Sequence, residues 1–177
     1  MPAKISAQMS AALTNVGFGD HNANFRVYVA APPPMPAYQH LCSIIPLQAS
    51  DLHQIYLECG NGWRKIFNVY AKLLFTLPVE QFAFQSKAAS WQQFRDEQLL
   101  QKHGNNALCF DEPKLGHSGF HLIAGRTHAK QLISQGLNAE LHWLNAEFAV
   151  DPTQKLLVTP FFDYRQLNNE KIAVSAK

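Results

Sequence analysis

The chain is short of charge: only 16% of its 177 residues are Asp, Glu, Lys or Arg, and 15 cations nearly cancel 13 anions to leave a formal +2. Soluble domains typically carry about 25% charged residues. A polybasic nucleic-acid binder, which neutralises phosphates with a clustered basic face, is therefore excluded as a class. The longest basic accumulation, Arg64-Lys65 with Lys72, leaves room for no more than a small patch. Cysteine is scarce too. Cys42, Cys59 and Cys109 are odd in number and far apart, which argues against a disulfide scaffold and fits reduced thiols in a cytoplasmic protein. No apolar run approaches the ~20 residues of a spanning helix, and Met1 to Thr14 lacks the apolar stretch of a signal peptide. A soluble, cytoplasmic protein without membrane association is expected.

Apolar and aromatic material is ample: 47% of the chain is hydrophobic, with 12 Phe, 5 Tyr and 3 Trp. A domain of ~150 residues buries roughly 70% of the surface its unfolded chain exposes, so a core can form without a structural metal or cofactor, and neither is expected.

The punctuation at Gly17-Phe18-Gly19-Asp20 and Asn22-Ala23-Asn24 suggests an N-terminal arm over residues 1–24, before a single domain at 25–177. Phe25 to Ala30 reads as a strand that Pro32-Pro33-Pro34 ends. Ser50-Asp51 can cap a helix running to Cys59. Trp63, Ile66, Phe67, Tyr70, Leu73, Leu74 and Leu77 then trace one buried face of the clearest helix, which Pro78 closes. Ser90 and Gln93 offer a capping box for a helix from Trp91 to His103. Ala107–Phe110, Phe120–Ala124, Leu141–Leu144 and Leu156–Thr159 are candidate strands, with Glu147 to Val150 as a further candidate. Arg126 to Gln135 is a helix following directly on the second of these, and Asp163 or Tyr164 can open a last helix. Helices interspersed with short apolar strands predict a three-layer α/β domain around a short, mainly parallel central sheet.

In such a sheet ligands sit outside the carboxyl ends of the strands, which selects the loops after them. Gly125, Arg126 and His128 occupy a strand-to-helix turn where backbone can approach an anion; the competing reading is a glycine needed only for the turn. Thr159 to Asn169 gathers Asp163, Arg165 and Asn168 with three aromatics, a set suited to a planar, hydrogen-bonding ligand, although Asp163 also suits a helix cap and Phe161 and Phe162 suit the core. Arg64 and Lys65 follow Gly60-Asn61-Gly62 at a helix start and are candidates for a phosphate contact. His117 and His121 have metal-like spacing, but no third ligand stands near, so no metal site is expected. Gly116-His117-Ser118-Gly119 lacks the final glycine of a hydrolase elbow, because Phe120 follows.

Gly125-x-x-His128-Ala129-Lys130 after an apolar strand, followed by a strand ending in Thr159-Pro160, resembles the C-terminal half of the uracil-DNA glycosylase superfamily over residues 120–169. Val27 to Pro34 is loosely similar to that family's first active-site segment. The resemblance implies a similar fold, a water-positioning carboxylate or amide in the first segment, and a histidine in the last loop. Ala31 to Pro34 holds no acid, and Thr159 stands where the histidine is expected. The remainder of the chain resembles an uncharacterised bacterial protein family. The leading functional expectation is a nucleotide or single-stranded nucleic acid as partner, bound at the carboxyl ends of the strands. The alternatives are a glycosylase-like enzyme with rearranged groups, Asp163 being the leading catalytic candidate, and a structural or partner-binding domain.

Overall fold

The computed structural model describes residues 15–116 and 119–175. The chain is an α/β protein built on one eight-stranded sheet. Its strands are β1 (Gly17–Gly19), β2 (Phe25–Tyr28), β3 (Ile44–Ile45), β4 (Asn106–Cys109), β5 (Phe120–Ala124), β6 (His142–Trp143), β7 (Ala149–Asp151) and β8 (Leu156–Thr159), in the spatial order β3-β1-β4-β2-β5-β8-β7-β6. The helices are α1 (Ala49–Cys59), α2 (Asn61–Thr76), α3 (Trp91–Glu97), α4 (Arg126–Ser134) and α5 (Asn169–Ser175).

The expected short, mainly parallel sheet is corrected to a longer, mixed one. Its four central strands, β4, β2, β5 and β8, are mutually parallel, but β1 runs antiparallel to β4, and β6 and β7 extend the other side as an antiparallel ribbon. Leu141–Leu144 and Glu147–Val150 anticipated β6 and β7, whereas β1 and β3 escaped the sequence signal, because strands of two or three residues cannot display a period-two pattern.

Alternation along the central strands separates two apolar layers. Phe25, Val27, Leu108 and Leu122 face α2, whose Phe67, Tyr70, Leu73 and Leu74 form the core of the larger layer, joined by Phe94 of α3 and Ile172 of α5. Tyr28, Cys109, Ile123 and Val158 face the other way, onto Ala129 and Leu132 of α4. A sheet buried on both sides needs apolar residues at successive positions, which is why β2 and β4 are buried throughout.

The segment before β2 belongs to this body: β1 lies inside the sheet, and the buried Arg26 holds the chain ahead of it, donating to Asn15 Oδ1 at 2.8 Å and to the carbonyls of His21 and Ala23. Residues 1–14 of the expected arm lie outside the described residues. The helix expected to His103 stops at Glu97, because the chain beyond it leaves right-handed helical geometry, with the buried Leu100 at a φ of +58°. Leu100, His103 and Asn105 turn the chain with positive φ, and Asn106 braces the turn, accepting from Leu100 N and donating to Gly104 O. The last helix begins at Asn169 rather than at Asp163 or Tyr164; Asn168 Oδ1 accepts from Lys171 N at its start. Among the described residues no helix is long and apolar enough to cross a membrane. The three cysteines are unpaired, Cys42 exposed and Cys109 buried.

Candidate functional site

Chain direction places the site. From β2 the chain leads away to β4, on one side, and from β5 it leads through α4 to β8, on the other, while β2 and β5 are neighbours. Connections that diverge from adjacent parallel strands open a crevice beyond their carboxyl ends. A cleft of about 550 Å³ lies there, lined by Ala30 after β2, Ala124 to His128 at the junction of β5 and α4, Pro160 and Phe161 after β8, and Glu147, Arg165 and Lys171 from the surrounding loops and α5.

The β5 and β8 walls are joined by Gly125 N donating to Thr159 O at 2.8 Å. Gly125 has φ of +105°, a conformation that L side chains rarely adopt, and this sets the sharp exit from β5 into α4. Among the described residues no side chain caps α4. The first N–H groups of a helix have no partner within it, so its positive end meets the cleft that Arg126, Thr127 and His128 line.

The charged groups are held in place. Arg126 Nη1 donates to Ala146 O at 3.1 Å, and Lys171 Nζ pairs with Glu147 at 2.8 Å. Arg165 is clasped by Asp163: backbone N and Nε donate to Oδ1 at 2.9 and 3.2 Å, and Nη2 to Oδ2 at 2.8 Å. Lys65 Nζ approaches the same carboxylate at 3.5 Å. The bonds from Arg165, with Lys65 adding attraction, hold the Asp163 carboxyl well below the usual carboxylate range. His128 is half-buried, burial lowers its pKa, and its Nε2 is enclosed with no hydrogen-bond partner among the described residues. Phe161 stays 37% exposed beside Gly125, whereas Phe162 is fully buried.

Of the residues singled out from sequence, Gly125, Arg126, His128 and Arg165 therefore converge on one cleft. Asp163 stands behind Arg165, outside the lining, and Asn168 caps α5. Lys65 reaches Asp163 and the Tyr164 ring, 5.4 Å from its centroid, while Arg64 is exposed on α2 away from the lining. His117 lies outside the described residues. His121 is buried in β5, its Nδ1 2.7 Å from Tyr28 Oη. Among the described residues no group of three His, Cys, Asp or Glu could hold a metal ion.

Sequence reading missed Glu147, Lys171 and Trp143. Trp143 lies on the edge strand β6 and is 38% exposed, with Arg126 and Lys130 each 5.6 Å from its ring centroid. The four-residue spacing of those cations on a helix was a usable signal; that an antiparallel ribbon returns an indole to them was not.

Fold and cleft define an α/β protein with a cation-lined crevice at its sheet's switch point. The chain belongs to a family of unknown function, DUF6942, whose profile matches residues 16–177. No curated protein and no solved structure matches it.

Proposed function

We propose that the chain is a nucleotide-binding module whose cleft takes a phosphate-bearing ligand, free or as a unit of a single strand, with Arg126, Arg165 and Lys171 as its cationic contacts. The observation that carries this reading is the convergence of those cations and the uncapped start of α4 on one cleft beyond the ends of parallel strands. Phe161 supplies a partly open aromatic surface for a base, and His128 Nε2 a hydrogen-bonding atom without a partner among the described residues. Asp163 serves as a positioning residue that aims Arg165, since its carboxylate is already engaged. The unpaired cysteines support a cytoplasmic setting. Thermal-shift measurements test the proposal: nucleoside monophosphates and pyrophosphate should raise the melting temperature while unphosphorylated nucleosides do not. A ligand at a hundred times its Kd stabilises a fold by about 2.7 kcal/mol. No shift with any phosphate compound at low salt contradicts it.

The glycosylase-like reading draws support from one feature, the juxtaposition of Gly125–His128 and Thr159-Pro160 across a single cleft. Its chemistry is weakly supplied. Thr159 is fully buried with Oγ1 donating to Pro160 O, and the carboxylate in the lining, Glu147, is paired with Lys171. Cleavage of a glycosidic bond needs stabilisation of both the cationic sugar and the departing base. Uracil release from single- or double-stranded DNA should therefore not exceed a buffer control; efficient release abolished by Asp163→Ala would promote this alternative to first place.

A further inference from the structure

The cleft does not end at its walls. Arg126 belongs to two neighbourhoods at once: it lines the cleft with Phe161, and its guanidinium lies 5.6 Å from the centroid of the Trp143 ring. Lys130, one turn further along α4, is equally close to that ring. Trp143 is thus tied by cations to the helix that opens the cleft, yet 38% of it remains exposed, and the next residue, Leu144, is 65% exposed. An indole with one open side beside cations can stack a planar base while the cations meet its phosphate, the pairing used by single-strand binding grooves.

We infer that Trp143, with Arg126 and Lys130, is a second stacking subsite beside the cleft, and that the occupant is a ring–phosphate–ring unit: one ring against Phe161, one on Trp143, and the phosphate between them at Arg126. This extends the nucleotide reading of the cleft and rests on it for the first ring. Arg126, Arg165 and Lys171 line the cleft and Lys130 stands beside Trp143, while Glu147 and Asp163 pair with Lys171 and Arg165, so cations outnumber carboxylates here and favour an anionic occupant. The same chemistry occurs in a free dinucleotide and in two successive residues of a single strand. The two sources differ in charge spacing and length, which the choice of probes resolves.

The test compares thymidine monophosphate, NAD and a short oligothymidylate, reading affinity by calorimetry and tryptophan emission by fluorescence, for the full chain and for Trp143→Ala and Trp143→Phe. Trp143 is exposed at a sheet edge, so circular dichroism should show both variants folded. One or both two-ring probes should bind at least tenfold more tightly than the monophosphate and quench emission, since stacking contributes ~1–3 kcal/mol per base. Trp143→Ala should lose that excess affinity and the quenching while keeping monophosphate binding, and Trp143→Phe should restore most of the affinity. NAD alone showing the excess identifies the free dinucleotide; oligothymidylate alone, or both with the strand tighter, identifies the strand. Equal affinity for one-ring and two-ring probes, or an excess that survives Trp143→Ala, overturns the subsite and leaves the cleft reading standing. Two-ring binding lost with Trp143→Ala, but with no monophosphate binding, upholds the subsite and overturns the cleft as a separate phosphate site. No binding by any probe overturns both.

Discussion

Asp163 and His128 show how single groups here couple protonation to structure. The Asp163 carboxylate accepts three bonds from Arg165 and attracts Lys65, so its folded pKa lies below the ordinary 3.8. Its contribution to stability is complete above that ordinary value and is lost as pH falls from there towards the depressed one. Asp163→Asn should lose about 1 kcal/mol at neutral pH, the upper end for an ion pair whose arginine is largely exposed, and should flatten the acid limb of the stability profile below about pH 4. It should also weaken phosphate binding by releasing Arg165. Chemical denaturation at a series of pH values checks the first effect, and an unchanged acid limb would remove Asp163 from its assigned role. His128 is depressed by burial from an ordinary value of 6.5. The unfolded chain therefore takes up a proton first, and stability should decline as pH falls below about 6.5, towards the lower folded value. His128→Gln should abolish that portion of the decline. Bound phosphate should oppose it, because an anion beside the imidazole favours its charged form.

At the scale of elements, α2 is the chief buried helix. Phe67 and Leu73 have almost no exposure, and each contacts the layer over the central strands. Their replacement by Ala should cost about 2 to 5 kcal/mol through lost burial and a residual cavity, read as a lower denaturant midpoint. A second element depends on closeness rather than burial. A Cβ at Gly17 would stand 2.1 Å from Leu108 O, so Gly17→Ala must push β1 off β4 or prevent pairing, and a strong loss of thermal stability is expected. An unchanged melting temperature would mean that β1 is not seated as described. These two elements also mark the limits of sequence reading. Seven apolar residues at helical spacing made α2 legible, with ends only one or two residues away from Asn61–Thr76. β1 and β3 were not legible, since such a short strand is defined by its partners and not by a pattern of its own, whereas β6 falls within the expected strand Leu141–Leu144. The early end of α3 was hidden because apolar spacing does not reveal the positive φ at Leu100, His103 and Asn105 that turns the chain.

For the molecule as a whole, the parallel centre of the sheet decides where function can lie. Four of the loop residues that strand order selected, Gly125, Arg126, His128 and Arg165, do share a cleft, because they follow β5 and β8 at the same end of the sheet. Asp163, Asn168, Arg64 and Lys65 do not line it, since sequence gives neighbours along the chain and not the direction of a side chain. Low overall charge is compatible with local recognition when the cations are gathered at one end, and affinity for a phosphate ligand should then be modest and salt-sensitive. The most direct measurement is calorimetric titration of the full chain with a nucleoside monophosphate at low and physiological salt, alongside Arg126→Ala/Arg165→Ala. Binding should be saturable, weaken with salt and fall at least tenfold in the double variant while the fold is retained. Binding that is absent in the full chain, or unchanged when both arginines are removed, would contradict the nucleotide reading of the cleft.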